Sequence, residues 1–398
     1  MKKIIVFIYN SFKDPLFQSN LYKYLIEYQK SGEAKLLLIT FEQEEYKLSE
    51  TEKKDITHNL KAVNVKWKPL QWHPGIRKGM DASLAFAYLS YYRLKGYSRI
   101  ITLGTVAATG VHVTSQLLRM KHFIYQYEPH FKFLVDFNIE SGDSYFFRSL
   151  LKLEKASAQS AEVIATGTSH LREELKQQTN AKVYTVPSCV DESMFRFSKH
   201  DRDDLRGRLN IGDDRIVVVY AGKFGGLYYD EETFQMFSYF KELDSRFYFL
   251  VLSPESKERI KCKFEALGID NESYGIHRAE FHEMYKWYSA ADIGLVTVPP
   301  LPTQKYRSPI KVGEYLCCGL PYIVCEGISE DDIVAKKNNV GVVIERFDEE
   351  NAKEAYPKMI GLVEEDRDSL RIRCRQAGIT YRGFEILNKR MQEALGIF

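Results

Sequence analysis

The sequence predicts an α/β protein of two doubly wound domains, each a parallel sheet covered by helices on both faces. Runs that are apolar on both faces, such as "KIIVFIY" (3–9) and "RIVVVY" (215–220), alternate with longer amphipathic stretches. This alternation is typical of buried parallel strands and the helices that cover them. It stops at "PSCVDESMF" (187–195), passes through a charged stretch and then restarts. We therefore expect one sheet before this point and a second one after it.

The first half contains seven predicted strands, which defines a first domain at 1–187 followed by a linker at 188–195. Helical patterns between the strands include "QSNLYKYLIEYQKSG" (18–32) and "ASLAFAYLSYYRLKGY" (82–97). The strands are predicted at 3–9, 35–40, 63–70, 99–104, 122–127, 163–167 and 183–186.

The second half predicts a domain at 196–379 by the same criteria. Its strands are expected at 215–220, 247–252, 292–298, 322–325 and 340–345. The last patterned stretch, "GITYRGFEILNKRMQEAL" (378–395), is predicted to be a helix after the final strand. Two such domains imply a cleft between them, where ligands face the carboxyl ends of the strands.

Composition excludes several classes of protein. A net charge of +2, with no run of Lys and Arg, argues against nucleic acid as a partner. The six cysteines form no CxxC pair, which is typical of reduced thiols in a cytoplasmic protein. The start, "MKKIIVFIYNSF", is too short in apolar residues for a signal peptide, and no run approaches the ~18 apolar residues of a membrane span. We therefore expect a cytoplasmic protein.

The stretch "SPIKVGEYLCCGLPYIV" (308–324) predicts a short helix at a ligand-binding edge. Ser308 suits an N-cap and Pro309 the first helical position, while Gly319 suits the left-handed turn that ends a helix. The helix would follow a strand and lead into the next strand, so its N-terminus would lie at the carboxyl edge of the sheet. Its backbone N–H groups would there form an anion site suited to a diphosphate.

The same helix carries a carboxylate, Glu314, in an otherwise apolar run. A carboxylate has two acceptor oxygens, which match a vicinal diol such as that of a ribose. The nearby cations Lys305, Arg307 and Lys311 would strengthen an anion site. The alternative is that Glu314 is a solvated or salt-bridged helix residue beside an ordinary polar face.

This stretch resembles the nucleotide-sugar motif of retaining glycosyltransferases of the GT-B architecture, family 4, also described as glycosyltransferase group 1. Further pieces of the resemblance extend along nearly the whole chain. They are "AEVIATGTSHLREEL", "VVVYAGKFGGLYYDEETF", "MYKWYSAADIGLVTV" and a final helix similar to the one that returns to the N-terminal domain. The resemblance implies two Rossmann-like domains that face each other across a cleft, with a helix at about 380–398 returning to the first.

The resemblance also implies a donor site in the second domain. Glu314 would bind the ribose of a sugar nucleotide, and the segment Tyr306, Arg307, Ser308, Pro309 and Ile310, continued by Lys311, would hold the diphosphate and the sugar. The family often places a glutamate eight positions before this one, where the chain has Tyr306. The grip on the donor sugar, and with it the identity of the sugar, is therefore open.

A glycine-rich loop, "AGKFGGLYYDEETF" (221–234), follows a predicted strand and precedes a helix. Gly222, Gly225 and Gly226 would let backbone amides approach an anion, and Lys223 would neutralise diphosphate charge. The loop is not a Walker loop, because no GK[ST] follows. A plain tight turn is the alternative.

Three loops of the first domain hold further candidates. "YQYEPHFKF" (125–133) ends a strand, and in the family a polar residue here, often His, faces the donor sugar. Glu128 and His130 both qualify as the catalytic residue, and the sequence does not select between them or exclude an exposed surface histidine. By family analogy, Asn10 and Ser11, and His73 and Arg77 in "QWHPGIRKGMD" (71–81), are predicted to contact the acceptor, with ordinary turns or surface as the alternative.

The predicted function is transfer of a sugar from a nucleotide diphosphate sugar, UDP-linked rather than GDP-linked, to a glycan or lipid-linked acceptor with retention of configuration. No cofactor and no catalytic metal are expected. The family setting allows peripheral association with a membrane, although no single helix is basic and amphipathic enough to demand it. The alternative is a catalytically silent glycosyltransferase-like subunit that binds a partner or a glycan.

Overall fold

The chain divides into two compact units. A computed structural model describes residues 1–137, 139, 141 and 143–398, without the side chains of Ser19, Asn20, Ile76 and Phe146. Unit 1 contains Met1–Ser188, Tyr306–Ser308 and Leu387–Phe398. Unit 2 contains Cys189–Lys305 and Pro309–Ile386.

Unit 1 is built on a parallel sheet. Its strands are β1 Lys2–Ile8, β2 Ala34–Glu42, β3 Lys66–Gln71, β4 Arg99–Leu103, β5 Lys121–Gln126, β6 Val163–Thr166 and β7 Lys182–Thr185. Its helices are α1 Pro15–Phe17, α2 Lys23–Lys30, α3 Glu50–Ala62, α4 Lys78–Leu94, α5 Gly104–Leu117, α6 His130–Asp136, α7 Tyr145–Ser160 and α8 Ser169–Lys176. The strand order across the described residues is β3-β2-β1-β4-β5-β6-β7.

Helices α4 and α5 pack side by side on one face of this sheet. Ala85 and Leu89 of α4 and Ala107 and Val111 of α5 join one apolar cluster with side chains of β1 such as Ile5. Both helices lead from the carboxyl end of one strand to the start of the next, so they run in the same direction. Their C-terminal ends therefore lie at the amino edge of the sheet.

Unit 2 is built on a second parallel sheet. Its strands are β8 Ile216–Ala221, β9 Phe247–Leu252, β10 Tyr274–His277, β11 Ile293–Leu295, β12 Tyr322–Cys325 and β13 Gly341–Ile344. Its helices are α9 Lys199–Arg208, α10 Glu231–Leu243, α11 Lys257–Ala266, α12 Met284–Ala290, α13 Ile310–Cys317, α14 Asp331–Asn338, α15 Glu349–Val363 and α16 Arg367–Arg382. The strand order across the described residues is β10-β9-β8-β11-β12-β13. A last helix, α17 Phe384–Ile397, belongs to unit 1 from Leu387 onward.

The central strands of both sheets are buried on both sides. Strands β8 and β9 are buried along their whole length, as expected for parallel strands covered by two layers of helices. The strand order reverses between β8 and β11, which are neighbours in the sheet. At such a point the loops after the two strands diverge and leave a crevice at the carboxyl edge. In unit 2 these are the segments 222–230 and 296–309.

A buried ion network ties α9 to the start of β11. The carboxylate of Asp292 binds Nη2 of Arg202 at 2.7 Å and Nη2 of Arg206 at 2.5 Å. It also accepts the backbone N–H of Val217 at 2.9 Å. All three charged side chains are buried. Removing one member would therefore leave charges without a partner in a poorly solvated place.

Two features differ from the prediction. The sequence analysis missed β10, an edge strand of four residues without a run of branched apolar residues. The stretch 378–395 is not one helix, because the chain breaks at Gly383 between α16 and α17. At this break the N–H of Val190 donates to Arg382 O at 2.8 Å and the N–H of Phe384 donates to Val190 O at 3.1 Å. The segment predicted as a linker is thus anchored in unit 2 from Cys189 onward.

No helix in the described part of the chain combines the length and the apolar character needed to cross a membrane.

Candidate functional site

The first turn of α13 offers backbone N–H groups at the crevice of unit 2. Pro309 is the N-cap residue, and no side chain caps the helix. The first turn also carries no acidic residue, so the positive end of the helix dipole is not neutralised from within the helix. The prediction of Ser308 as N-cap is wrong. Its hydroxyl instead accepts the N–H of Ser188 at 3.0 Å, a contact within unit 1.

Glu314 lies one turn into α13, and its side chain is only 1% exposed. Its Oε2 accepts the hydroxyl of Tyr288 at 2.7 Å and Nζ of Lys311 at 2.9 Å. Its Oε1 accepts no hydrogen bond from the residues described. One carboxylate oxygen is thus held in place and the other remains available to a donor. Lys311 is partly exposed, whereas the carboxylate with which it pairs is buried.

Close packing fixes α13 against α16. A Cβ on Gly313 would lie 2.7 Å from Cγ2 of Val190 and 2.8 Å from Cβ of Arg382. A Cβ on Gly378 would lie 2.8 Å from the backbone N of Cys317. These glycines allow the two helices to approach closely, which holds Glu314 on a rigid element.

The glycine-rich loop after β8 is held by hydrogen bonds to its neighbours. Gly225 and Gly226 adopt φ values of +75° and +64°, a backbone region that other residues rarely occupy. The N–H of Tyr229 donates to Thr297 O at 2.8 Å, which connects the loop to the segment after β11. Lys223 is exposed and forms no salt bridge with any described residue. The loop therefore presents an uncompensated cation at the carboxyl edge of the sheet.

A Cβ at Gly222 would lie 2.8 Å from Oη of Tyr220. The same hydroxyl donates to Lys223 O, and the N–H of Phe224 donates to Oε1 of Glu255 at 2.5 Å. A side chain at position 222 would clash with Tyr220, whose hydroxyl supports the loop, so this position requires glycine.

The segment Tyr306–Ser308, predicted to hold the diphosphate and sugar, packs within unit 1. The hydroxyl of Tyr306 donates to Glu174, and its ring joins the apolar cluster under α8. Burial and this hydrogen bond raise the pKa of Tyr306. The guanidinium of Arg307 lies 5.1 Å from the ring centre of Phe133. Both side chains are thus engaged by unit 1, whereas Pro309, Ile310, Lys311 and Glu314 belong to unit 2.

The two candidate catalytic residues of unit 1 lie together at the carboxyl end of β5. Nδ1 of His130 is 3.3 Å from Oε1 of Glu128, and Nε of Arg307 is 3.8 Å from Oε2 of the same carboxylate. The imidazole is about one third exposed, whereas the carboxylate is mostly buried. The two side chains are therefore in contact, and the choice between Glu128 and His130 as the catalytic residue stays open.

A second carboxylate, Glu154 of α7, lies beneath this pair and was missed by the sequence analysis. It accepts Nε2 of Gln126 at 3.1 Å, and it is 3.5 Å from the hydroxyl of Thr105. That hydroxyl also donates to the backbone oxygen of Glu128 at 3.1 Å. Burial raises the pKa of Glu154 from 4.5 to about 7, a shift that the nearby side chains of His130 and Lys132 oppose.

The raised pKa of Glu154 predicts a pH-dependent loss of stability. The folded state binds the proton more tightly than the unfolded chain, so stability falls as the pH rises from about 4.5 to about 7. Glu154→Gln should remove this contribution, and the variant should gain about 2 kcal/mol relative to the wild type between pH 5 and pH 8. Urea unfolding at both pH values measures the difference. An identical pH dependence of the two proteins would contradict the shift.

The loop after β1 uses both predicted acceptor residues in its own hydrogen bonds. Nδ2 of Asn10 donates to Oδ2 of Asp14 at 2.7 Å. Ser11 is fully buried, and its hydroxyl accepts the N–H of Gln43 at 2.7 Å. As placed, Ser11 supports the loop and offers no surface to an acceptor. Asn10 remains partly exposed.

The loop after β3 contains a His–Asp pair that the sequence analysis only half identified. Nδ1 of His73 is 2.6 Å from Oδ1 of Asp81, whose Oδ2 accepts the hydroxyl of Tyr9 at 2.8 Å and the N–H of His73 at 3.1 Å. Asp81 is buried in the first turn of α4. This carboxylate fixes the imidazole, while Arg77 is exposed and has no ion pair in the described chain.

The two doubly wound parallel sheets, with a helix N-terminus and a glycine-rich loop at the switch point of the second, define the GT-B architecture of glycosyltransferases. The predicted fold class and the resemblance to GT-B glycosyltransferases are thereby confirmed. In sequence, residues 302–365 match the family model described as "Glucosyltransferase 3-like, C-terminal domain". This segment contains α13 and Glu314.

Solved structures similar to the chain are spread over several glycosyltransferases. Sucrose-phosphate synthase from Thermosynechococcus elongatus has a TM-score of 0.71 at 13% identity, covering 100% of this chain and 98% of that one. HepE from Anabaena in complex with UDP has a TM-score of 0.69 at 12% identity, covering 100% of both chains. A glycosyltransferase from Rickettsia africae has a TM-score of 0.69 at 12% identity, covering 100% and 98%. No curated protein sequence matches the chain significantly.

Proposed function

We propose that the chain is a retaining glycosyltransferase that moves a sugar from a UDP-sugar to a glycan or lipid-linked acceptor. The observation that carries the proposal is the carboxylate of Glu314. It is buried on a rigid helix, one oxygen is fixed by Tyr288 and Lys311, and the other accepts no hydrogen bond from the described residues. A carboxylate in this setting suits the hydroxyl pair of a ribose. It lies within the segment that is similar to the glucosyltransferase 3-like C-terminal domain.

The diphosphate is assigned to the N-terminus of α13 and to Lys223. The first turn of α13 supplies backbone N–H groups without an internal cap or acid, and Lys223 supplies an exposed positive charge. Both would stabilise the negative charge that develops on the leaving diphosphate. Arg307 is not included in this assignment, because its guanidinium is engaged by Glu128 and Phe133.

The proposed reaction requires no covalent enzyme intermediate. The acceptor hydroxyl attacks the anomeric carbon from the face that the diphosphate leaves, and the bond between that carbon and the phosphate oxygen breaks. The proton of the acceptor hydroxyl passes to the departing diphosphate. Configuration is therefore retained, and no metal takes part in the proposal.

The similar structures support the choice of donor. Among them, HepE from Anabaena is described in complex with UDP and with UDP-glucose. We therefore place uridine first among the candidate bases. Calorimetric titration with UDP, GDP and ADP, with and without Mg²⁺, tests this choice. Saturable binding of UDP alone, unchanged by chelation of metal, is the expected result.

Replacing Lys223 tests the assignment of the diphosphate. Lys223→Gln should weaken UDP binding about tenfold, since a hydrogen bond to a charged group contributes about 1.5–3 kcal/mol. Binding of uridine, which lacks the diphosphate, should not change. Lys337→Gln is the matched control, because Lys337 is an exposed lysine on α14 of the same unit. Equal loss of uridine and UDP affinity would indicate a distorted loop and contradict the assignment.

One observation favours a second function, that of a silent subunit. The family's first glutamate is replaced by Tyr306, whose hydroxyl is already engaged by Glu174. A chain that binds none of the three nucleotides, and hydrolyses no UDP-sugar, would agree with this alternative and contradict the proposed UDP-sugar donor.

A further inference from the structure

The solvent-facing side of α4 is unusually apolar for a surface helix. Between Lys78 and Arg93 its one charged residue is Asp81, which is buried. The exposed side instead carries Phe86, Tyr91 and Leu94, and Leu94 is 88% exposed. Surface helices of soluble domains normally place charged and polar residues on this side. The helix therefore has an apolar face that no described residue of unit 1 covers.

The neighbouring helix α5 shows the same property. No Lys, Arg, Asp or Glu occurs between Gly104 and Leu117. The residues Val106, Val113 and Leu117 recur at helical spacing on its exposed side, and Leu117 is 70% exposed. Large apolar side chains that are exposed singly need no explanation, but a contiguous set of them marks an interaction surface.

The two faces join into one surface. Helices α4 and α5 pack against each other and lie on the same side of the sheet, as their shared apolar cluster requires. Nε of Arg93, at the end of α4, donates to Leu118 O, just after α5, at 2.9 Å. This bond brings the exposed Leu94 and Leu117 to the same end. We call this surface, formed by Phe86, Tyr91, Leu94, Val106, Val113 and Leu117, the α4–α5 face.

Cations outnumber acids in the stretch of chain that forms the α4–α5 face. From 72 to 121 the chain contains seven Lys and Arg residues and one acid, the buried Asp81. The whole chain, by contrast, is nearly balanced, at 56 cations and 54 acids. Lys95 and Arg119 follow the C-terminal ends of the two helices, are exposed and have no carboxylate partner within the described residues. The charge is therefore concentrated beside the apolar surface.

We propose that the α4–α5 face docks on a lipid bilayer surface that contains anionic headgroups. Exposed apolar side chains enter the boundary between headgroups and acyl chains, while flanking Lys and Arg residues attract the negative surface. The charge argues for this occupant over a second copy of the chain, because two copies would bring like charges together. The inference is independent of the proposed sugar transfer.

The sequence did not indicate this surface, because neither helix alone is strongly amphipathic and basic. The pattern of α4 is apolar on its buried side as well, and α5 has no charged residue that would mark a polar side. The property arises where two moderately apolar helices lie next to each other, with their cations at one common end. The two helices end at the same edge because each of them connects the end of one parallel strand to the start of the next.

Flotation of the full chain with defined vesicles tests the proposal. The chain should float with vesicles that contain phosphatidylglycerol and not with vesicles of phosphatidylcholine alone. Binding should weaken as salt is added, because exposed charges are screened. Failure to float with anionic vesicles, or equal flotation with both, would overturn the proposal.

Two double variants separate the contributions to binding. Lys95→Gln/Arg119→Gln should weaken binding about 25-fold, or about fivefold for each cation removed. Leu94→Gln/Leu117→Gln should weaken it at least about tenfold. All four side chains are exposed, so the fold should tolerate these changes. Lys337→Gln/Lys358→Gln removes the same charge from unit 2 and should bind vesicles like the wild type.

Two further measurements distinguish the occupants and the two proposals. If sedimentation shows a dimer that Leu94→Gln/Leu117→Gln dissociates, the face is an interface between copies and the lipid proposal is overturned. UDP titration of the same variants should give wild-type affinity. Loss of vesicle binding with intact UDP binding would thus locate the effect at the α4–α5 face. A chain that binds vesicles without binding UDP would leave this proposal standing and refute the proposed donor site.

Discussion

Asp292→Ala is expected to lower the free energy of unfolding by about 3–5 kcal/mol. The substitution leaves Arg202 and Arg206 buried without their shared carboxylate. It also removes the acceptor of the N–H of Val217, at the start of the central strand β8. Charges left unpaired in a poorly solvated interior are among the largest single sources of destabilisation. Urea unfolding, followed by circular dichroism, measures the loss.

The control for Asp292 lies on α9, the helix that carries Arg202 and Arg206. Asp203 of α9 is exposed and pairs with Lys199 on the surface, so Asp203→Ala should change stability by less than about 1 kcal/mol. Replacing Arg202, Arg206 and Asp292 together by apolar residues of similar volume should restore much of the lost stability, because no unpaired charge remains. A change below about 1 kcal/mol in Asp292→Ala would show that the network contributes little.

Glu314→Gln is expected to weaken UDP binding by about 10- to 150-fold. Hydrogen bonds to a charged group contribute about 1.5–3 kcal/mol, and each 1.4 kcal/mol is a factor of ten in affinity. The amide keeps the shape of the side chain and an oxygen for Tyr288 and Lys311, so α13 should stay in place. Calorimetric titration gives the affinity, and unchanged urea unfolding shows that the fold is retained.

A deoxy nucleotide makes the test of Glu314 specific to the ribose. If the carboxylate binds the ribose hydroxyls, the 2′-deoxy or 3′-deoxy analogue of UDP already lacks part of this interaction. Glu314→Gln should then cost much less affinity for that analogue than for UDP, as coupled groups do in a double-mutant cycle. Equal losses for both nucleotides would assign Glu314 a structural role. Tyr288→Phe, which removes one hydrogen bond to Oε2, should cause a smaller loss than Glu314→Gln.

The sequence predicted every strand that the structure describes except the edge strand β10. Strands such as β8 and β9 are continuous apolar runs because both of their faces are covered. Strand β10 pairs on one side only, and it contains Gly275, where a Cβ would lie 2.5 Å from Oη of Tyr248. This glycine reflects a tertiary contact with β9 and weakens the local strand pattern. Local propensity therefore could not predict the strand.

The candidate site was predicted in part for a similar reason. Glu314 and the glycine-rich loop carry local signals, namely helix punctuation and paired glycines after a strand. The partners of Glu314 and His73 are Tyr288 and Asp81, and they meet these residues only through the folding of separate segments. Ser308 fitted the N-cap pattern, but its hydroxyl accepts a hydrogen bond from the N–H of Ser188, which is far away in sequence. Such pairings depend on topology, which spacing along the chain does not encode.

The division of the chain between the units also constrains the order in which the protein folds during synthesis. The sheet of unit 1 is encoded by the first 188 residues, yet the hydroxyl of Tyr28 donates to Leu395 O, and Nε of Arg99 donates to Phe398 O. During synthesis, the residues of the N-terminal sheet therefore emerge from the ribosome before the segments 306–308 and 387–398, which pack in the same unit, have been translated. The apolar surfaces awaiting them stay uncovered until unit 2 has been translated. Neither unit corresponds to a contiguous stretch of the gene that could be expressed alone with its packing intact.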